Sequence, residues 1–450
     1  MLRQQVLRPV TAGLALALAA TVGTPWTAAA HDASSPRTSR AECPQLRKDL
    51  PWYGGNRAKL QRMIDERGSC SAKSRSAQSR SAKSRSGAGK PVAAFDWDNT
   101  IVKNDISDAT LAWMLKHDKI LQPTSWRATN KWMTAAAHRA LTRACGTSVP
   151  VGRPLPTSTD TGCTDEILDI YEGAKTSTGD TAFSGVWNHR RTVPEYVWIT
   201  QLFAGHSPAR LTEFARKARA ENLAAPIGSV QKVGTHDWAG YVRYYEQQVD
   251  LIRTLRKAGF DVWVVSASAE PIVRAWAPGA GFKNNRVIGI RNVVRDGRLT
   301  TGVQGCGDVK DDTRGEALTY MDGKRCWINK GIYGIKGAEA WRQQDPAHRI
   351  AFGAGDAETD VTFVDDATAG HLVINRNKTE LMCRAYDNAD RRWIVNPMFI
   401  EPKKRQSAPY PCATEGYMNT DGVEGPVRRP DGSVVPDQKD RVFPKGTARS

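Results

Sequence analysis

Residues 91–100 read Pro91-Val92-Ala93-Ala94-Phe95-Asp96-Trp97-Asp98-Asn99-Thr100, a short apolar run that stops on two aspartates one residue apart. A continuous apolar run of this length suits a strand buried on both faces of a parallel sheet. Residues 260–265 form a second such run, ending at Ser266, after a helical pattern over 241–257 that Gly259 closes. Residues 349–352 form a third, leading into Gly353-Ala354-Gly355-Asp356, and His371-Leu372-Val373-Ile374 is a fourth. Strands alternating with helices predict an α/β fold with a doubly wound, Rossmann-like parallel sheet. In such sheets ligands bind beyond the carboxyl ends of the strands, so polar residues that follow these runs mark the active edge.

Those residues carry a coherent chemistry. Asp96 and Asp98 supply two carboxylates at one strand end, one able to attack and one able to move a proton. Ser266 offers a hydroxyl beside small neighbours. In Gly353-Ala354-Gly355-Asp356-Ala357-Glu358-Thr359-Asp360, glycines admit close approach and two acids stand four apart. Lys336 opens an apparent helix, and Lys330 is an alternative lysine only a few residues earlier.

Asp pair, serine, lysine and acidic pair, in this order, resemble the haloacid dehalogenase-like (HAD) superfamily of phosphohydrolases. The resemblance covers residues 91–105 and 260–375. It implies Asp96 as the nucleophile that forms an aspartyl-phosphate, Asp98 as acid and base, Ser266 on the phosphoryl group and Lys336 as the neutralising cation. It also implies Mg2+ held by Asp96, the main-chain carbonyl of Asp98 and Asp356, with Asp360 fixing the metal shell. Within the superfamily, residues 95–105 are similar to those of bacterial secreted phosphorylcholine phosphatases, which implies a small phosphomonoester substrate. A broader acid phosphatase and a non-catalytic binding protein on the same fold are the alternatives.

About 160 residues separate the first two runs, too many for a single crossover. A mostly helical cap over 106–254 is therefore expected between core segments 91–105 and 255–400, with a poorly ordered tail over 401–450. Residues 31–70 read as a small N-terminal region with a helix near 56–66.

At 450 residues, 40% hydrophobic and 25% charged, the chain has the composition of an ordinary globular protein. Its first thirty residues carry Arg3 and Arg8, an apolar run over 12–22 and Ala28-Ala29-Ala30, which read as a secretory signal peptide cut after Ala30. No later stretch reads as a membrane span, so a secreted protein is expected. The formal charge of +17 is concentrated partly in residues 71–90, where SAKSRS repeats without large apolar residues. That stretch reads as a disordered linker able to touch acidic surfaces, and no specific nucleic-acid partner is expected. Eight cysteines, with no spacing typical of zinc ligands, suggest disulfides between neighbours: Cys43–Cys70, Cys145–Cys163, Cys306–Cys326 and Cys383–Cys412.

Overall fold

The computed structural model describes residues 43–70 and 89–444, so the leader expected at 1–30 and most of the basic stretch at 71–90 lie outside the described residues. Six strands form one parallel sheet: β1 (Val92–Phe95), β2 (Asp261–Ala269), β3 (Val287–Ile290), β4 (Phe352–Gly355), β5 (Gly370–Asn375) and β6 (Trp393–Pro397). Their spatial order is β6-β5-β4-β1-β2-β3, with helices on both faces. All four runs read from sequence lead into this sheet, but the third, 349–352, enters it only at Phe352, and β4 is completed by Gly353, Ala354 and Gly355. The two edge strands β3 and β6 were not singled out, because Gly289 interrupts one and Asn396-Pro397 ends the other, which weakens their strand signature.

Alternation along the strands sorts the core into two layers. Ala93, Phe95, Val262, Val264, Phe352 and Leu372 face one layer, with Leu60 and Ile64 from the helix Asn56–Arg67 and Leu251 and Leu255 from the helix Glu246–Lys257. Val92, Ala94, Val265 and Val373 face the other, with Trp327 and Ile328 from the helix Asp322–Gly331 and Leu381 and Met382 from the helix Thr379–Asp387. After β3 the chain returns to the far side of β1 to form β4. The carboxyl ends of β1 and β4 therefore flank the point where strand order reverses, the place where doubly wound sheets open a crevice.

The segment between β1 and β2 is mostly helical, with helices Ile106–Lys116, Ala135–Cys145, Thr161–Gly173, Pro194–Gln201 and Pro208–Ala224 and a hairpin formed by Val230–Val233 and His236–Ala239. The helix Glu246–Lys257 runs across the boundary expected at 254 and packs against β2, because Leu251, Ile252 and Leu255 all face the sheet.

Residues 401–444 are not the loose tail that their Pro- and Gly-rich composition suggests. Tyr410, Cys412 and Val427 are fully buried, and Asp440 Oδ1 accepts hydrogen bonds from Tyr386 Oη at 2.5 Å and Asn375 Nδ2 at 3.2 Å. Side-chain bonds and the Cys383–Cys412 bridge supplement the little secondary structure that this segment has, a short antiparallel pair of Tyr417–Met418 and Glu424–Gly425.

All eight cysteines are paired as neighbours: Cys43–Cys70, Cys145–Cys163, Cys306–Cys326 and Cys383–Cys412. Loops of 18 to 29 residues place each bridge in the range of about 2–4 kcal/mol of stabilisation. Four bridges are consistent with an extracellular protein. Among the described residues no helix is long and apolar enough to cross a membrane.

Candidate active site

Pairing of β1 with β4 continues one residue past the strand, where the Asp96 N–H donates to Ala354 O at 2.9 Å. Trp97 then turns into the core, fully buried beside Tyr244 and Phe282, so Asp96 and Asp98 both line the cavity on the other side. Asn99 takes a left-handed conformation (φ 59°), which Asn tolerates better than most residues, and its Oδ1 accepts from Asn104 N–H at 3.1 Å. The turn delivers Thr100 to Asp356, with Oγ1 donating to Oδ1 at 2.8 Å.

At the end of β4, a Cβ on Gly355 would lie 2.4 Å from that of Asp360, so only glycine lets the Asp360 side chain fold back under the loop. There its Oδ2 accepts from the N–H groups of Asp356 and Ala357 at 2.9 and 3.1 Å. The carboxylates of Asp96, Asp356 and Asp360 are buried, each offering an oxygen within 4.8 Å of the others.

The lysine in this cluster is Lys324, not Lys336 or Lys330. Lys324 Nζ donates to Asp96 Oδ1 at 2.5 Å and to Asp360 Oδ1 at 2.6 Å, with its side chain wholly buried. Lys336 is exposed ahead of a single 3-10 turn (Gly337–Trp341), since Gly337 at φ 63° and Pro346 leave no room for the longer helix its pattern suggested. Lys330 is spent on Gly305 O at 3.1 Å and on the Trp327 ring. Lys324 escaped notice because it belongs to neither sheet nor strand end. It sits in the first turn of Asp322–Gly331, a helix whose pattern Gly323, Cys326 and Gly331 obscure. Met321 enters that helix at φ 44°, a strained conformation held by its N–H donating to Thr359 O at 2.8 Å.

The serine prediction also shifts. β2 runs on to Ala269 with a register irregularity against β3 between Val265 and Ala269, so Ser266 lies inside the strand rather than beyond it. Ser266 is fully buried, does not line the cavity, and its Oγ accepts from Ser268 N–H at 3.1 Å. Ser268 does line it, and its Oγ donates to Asp98 Oδ2 at 2.7 Å, while Asp98 Oδ1 accepts from Ile106 N–H at 2.8 Å.

Burial dominates the electrostatics. It raises the Asp98 carboxyl well above the ordinary range, helped by Asp105 and Asp96 and opposed by the bonds from Ile106 and Ser268. Asp96 is raised by burial and by Asp360 against the pull of Lys324. Burial alone would lower the Lys324 ammonium, but Asp360 and Asp96 more than reverse this, so the lysine stays charged.

The cavity these groups open into holds about 460 Å³. The inserted segment contributes Asp108, Tyr171, Glu172, Tyr196, Trp238 and Tyr241 to its wall, and Arg376 lies opposite in sequence, just beyond β5. Tyr171 Oη donates to Asp108 Oδ1 at 2.7 Å. Burial and the neighbouring Asp105 push Asp108 up to about 8. The folded state therefore binds this proton more tightly than the unfolded chain, whose Asp titrates near ~4, and stability declines as pH rises from about 4 through about 8. Asp108→Asn removes that decline and keeps an acceptor for Tyr171. Thermal unfolding should show a gain of about 3 °C at pH 9 and little change at pH 4; a gain independent of pH would contradict the assignment.

No protein-family pattern and no curated protein matches this chain. Among solved structures it is similar to a conserved protein of unknown function from Anaerococcus prevotii, with a TM-score of 0.51 and 20% identity over 78% of this chain and 93% of that one. A protein of unknown function from Bordetella pertussis aligns at a TM-score of 0.39 and 16% identity, covering 69% of this chain and 100% of that one. A HAD family hydrolase from Salmonella enterica serovar Typhi aligns at 0.30 and 10% identity, covering 68% and 72%. The first of these establishes a shared fold.

Proposed function

We propose that the chain is a magnesium-dependent phosphomonoester hydrolase of the HAD superfamily. The observation that carries this reading is the cluster of Asp96, Asp356 and Asp360 around Lys324 at the ends of β1 and β4, beside a second aspartate, Asp98, on the cavity wall. Hard carboxylate oxygens suit Mg2+, and no thiolate competes, because all eight cysteines are in disulfides. Asp96, Asp356 and the main-chain carbonyl of Asp98 would hold the ion. Asp360 is the more committed carboxylate, since its oxygens accept four hydrogen bonds, from Lys324, Thr359 and two backbone N–H groups, against two on Asp356, from Thr100 and Arg376. Bound there, the metal would screen the charge of the substrate phosphate.

An Asp96 oxygen attacks phosphorus as the bond to the alcohol oxygen breaks, leaving an aspartyl-phosphate. Asp98, whose carboxyl burial raises well above the ordinary range, gives a proton to the departing alkoxide. The resulting carboxylate then takes a proton from water, whose oxygen attacks phosphorus and frees Asp96 with inorganic phosphate. Ser268 and Ile106 hold Asp98 in place for both transfers.

Aromatic faces and carboxylates on the inserted segment's wall favour an alcohol that carries a positive charge, such as phosphorylcholine, because such cations gain from both. The test is phosphate release from phosphorylcholine, glycerol phosphate and p-nitrophenyl phosphate by the mature protein, with magnesium and with chelator. Metal-dependent release is expected, fastest from phosphorylcholine. Equal rates on all three esters would leave a broad phosphatase, and no release from any would remove the enzyme reading.

A further inference from the structure

We infer that Arg376 is the cation that meets the substrate's phosphoryl oxygens from the cavity, a phosphate-binding residue in addition to the lysine of the carboxylate cluster. This rests on the phosphatase reading and extends it to a residue that lies outside every motif of the sequence.

Two cations touch the three carboxylates, and they differ in what they have left to give. Lys324 is wholly buried, its ammonium is committed to Asp96 and Asp360, and it does not line the cavity. Arg376 does line it, beside Asp96, Asp98 and Asp356, with its side chain about a quarter exposed (28%). Its Nη1 donates to Asp356 Oδ2 at 2.7 Å, and its buried Nε has no hydrogen-bond partner among the described residues. A guanidinium has five donors in a planar fork matched to phosphate, and this one uses few of them on protein.

Its surroundings hold it ready. Asp356 is fixed from the other oxygen by Thr100, so the carboxylate that anchors Arg376 cannot swing away. Arg376 follows β5 directly, and the adjacent Asn375 is tied down by its Nδ2 donating to Val442 O at 2.9 Å. Two further cations line the cavity, but Lys103 is paired with Glu401 at 3.2 Å and Lys403 lies on an exposed stretch. Arg376 is thus the cation that combines contact with the carboxylate cluster and open access to the cavity. A phosphoryl group delivered to Asp96 can take charge-assisted bonds from it while the ion pair to Asp356 persists.

The experiment measures binding of inorganic phosphate to the magnesium-loaded full-length mature protein by calorimetry, for wild type, Arg376→Lys and Arg376→Gln, with magnesium affinity measured separately without phosphate. Loss of charge-assisted bonds predicts phosphate affinity about 30-fold weaker in Arg376→Gln. KM for the ester should rise with kcat less affected, and magnesium affinity should stay within about threefold. Arg376→Lys keeps the ion pair without the fork and should recover only part of the loss. Phosphate binding equal to wild type in both variants overturns the inference. Magnesium affinity falling in step with phosphate affinity also overturns it, since Arg376 would then serve only to hold Asp356 for the metal. If Arg376→Gln fails to fold by circular dichroism, Arg376→Lys decides on the same two affinities. A wild-type protein that binds no phosphate removes the phosphatase reading itself, whereas wild-type binding with unchanged variants removes Arg376 alone.

Discussion

Replacing Lys324 by methionine should abolish most phosphate release and lower the melting temperature together. The side chain keeps its approximate length and apolar stem, while the ammonium is lost together with its contact over the Phe363 ring. Asp96 and Asp360 are then left as buried carboxylates facing each other without a counter-charge. Removing one partner of a buried ion pair costs about 3–5 kcal/mol, which for a chain of this length corresponds to a fall of roughly 4 °C. On the activity side, the cation that holds the nucleophile in place is gone, and loss of one such stabilising group costs about 10²–10³-fold in kcat. Thermal unfolding and phosphate release measured side by side check both effects. Lys336→Ala is the control and should leave both unchanged, because its side chain is exposed and does not line the cavity. The reverse pattern would restore Lys336 to the site and remove Lys324 from it.

Asp96→Asn should separate activity from stability in the opposite sense. The amide keeps the shape of the side chain and can still accept from Lys324, but it cannot form the acyl phosphate, so kcat should fall by at least about 10⁴-fold. The metal-free wild type holds three buried carboxylates against two cations, Lys324 and Arg376. Removing one negative charge brings the cluster closer to balance. The variant should therefore melt at or above the wild-type temperature without magnesium, while the rise that magnesium gives the wild type should shrink. A functional site paid for in stability behaves this way. Residual turnover within tenfold of wild type would mean that Asp96 is not the nucleophile.

What the sequence disclosed and what it hid follow from where each residue lies. β1, β2, β4 and β5 are apolar runs buried on both faces, and Asp96, Asp98 and Asp356 stand within a residue or three of their ends. Local reading reaches such positions. Lys324 and Arg376 arrive through tertiary folding, one on a helix far from any strand end and the other past a strand whose exit looked ordinary. Ser268 was hidden because the strand runs four residues past the apolar run, to Ala269, and Ser and Ala do not mark a strand's last residue. The segment 401–444 was misjudged because its order comes from Tyr410, Cys412 and Asp440 meeting distant partners, which composition does not record.

The bridge between Cys306 and Cys326 has a reach beyond cross-linking. Cys326 lies two residues past Lys324 on the same short helix, so the covalent tie fixes the one element that presents the buried ammonium to Asp96. The position of Lys324 is thereby tied to the oxidation state of this cysteine pair. In a thiol-rich medium that opens this bridge, the helix would lose its covalent tie and the ammonium a firm seat beside Asp96.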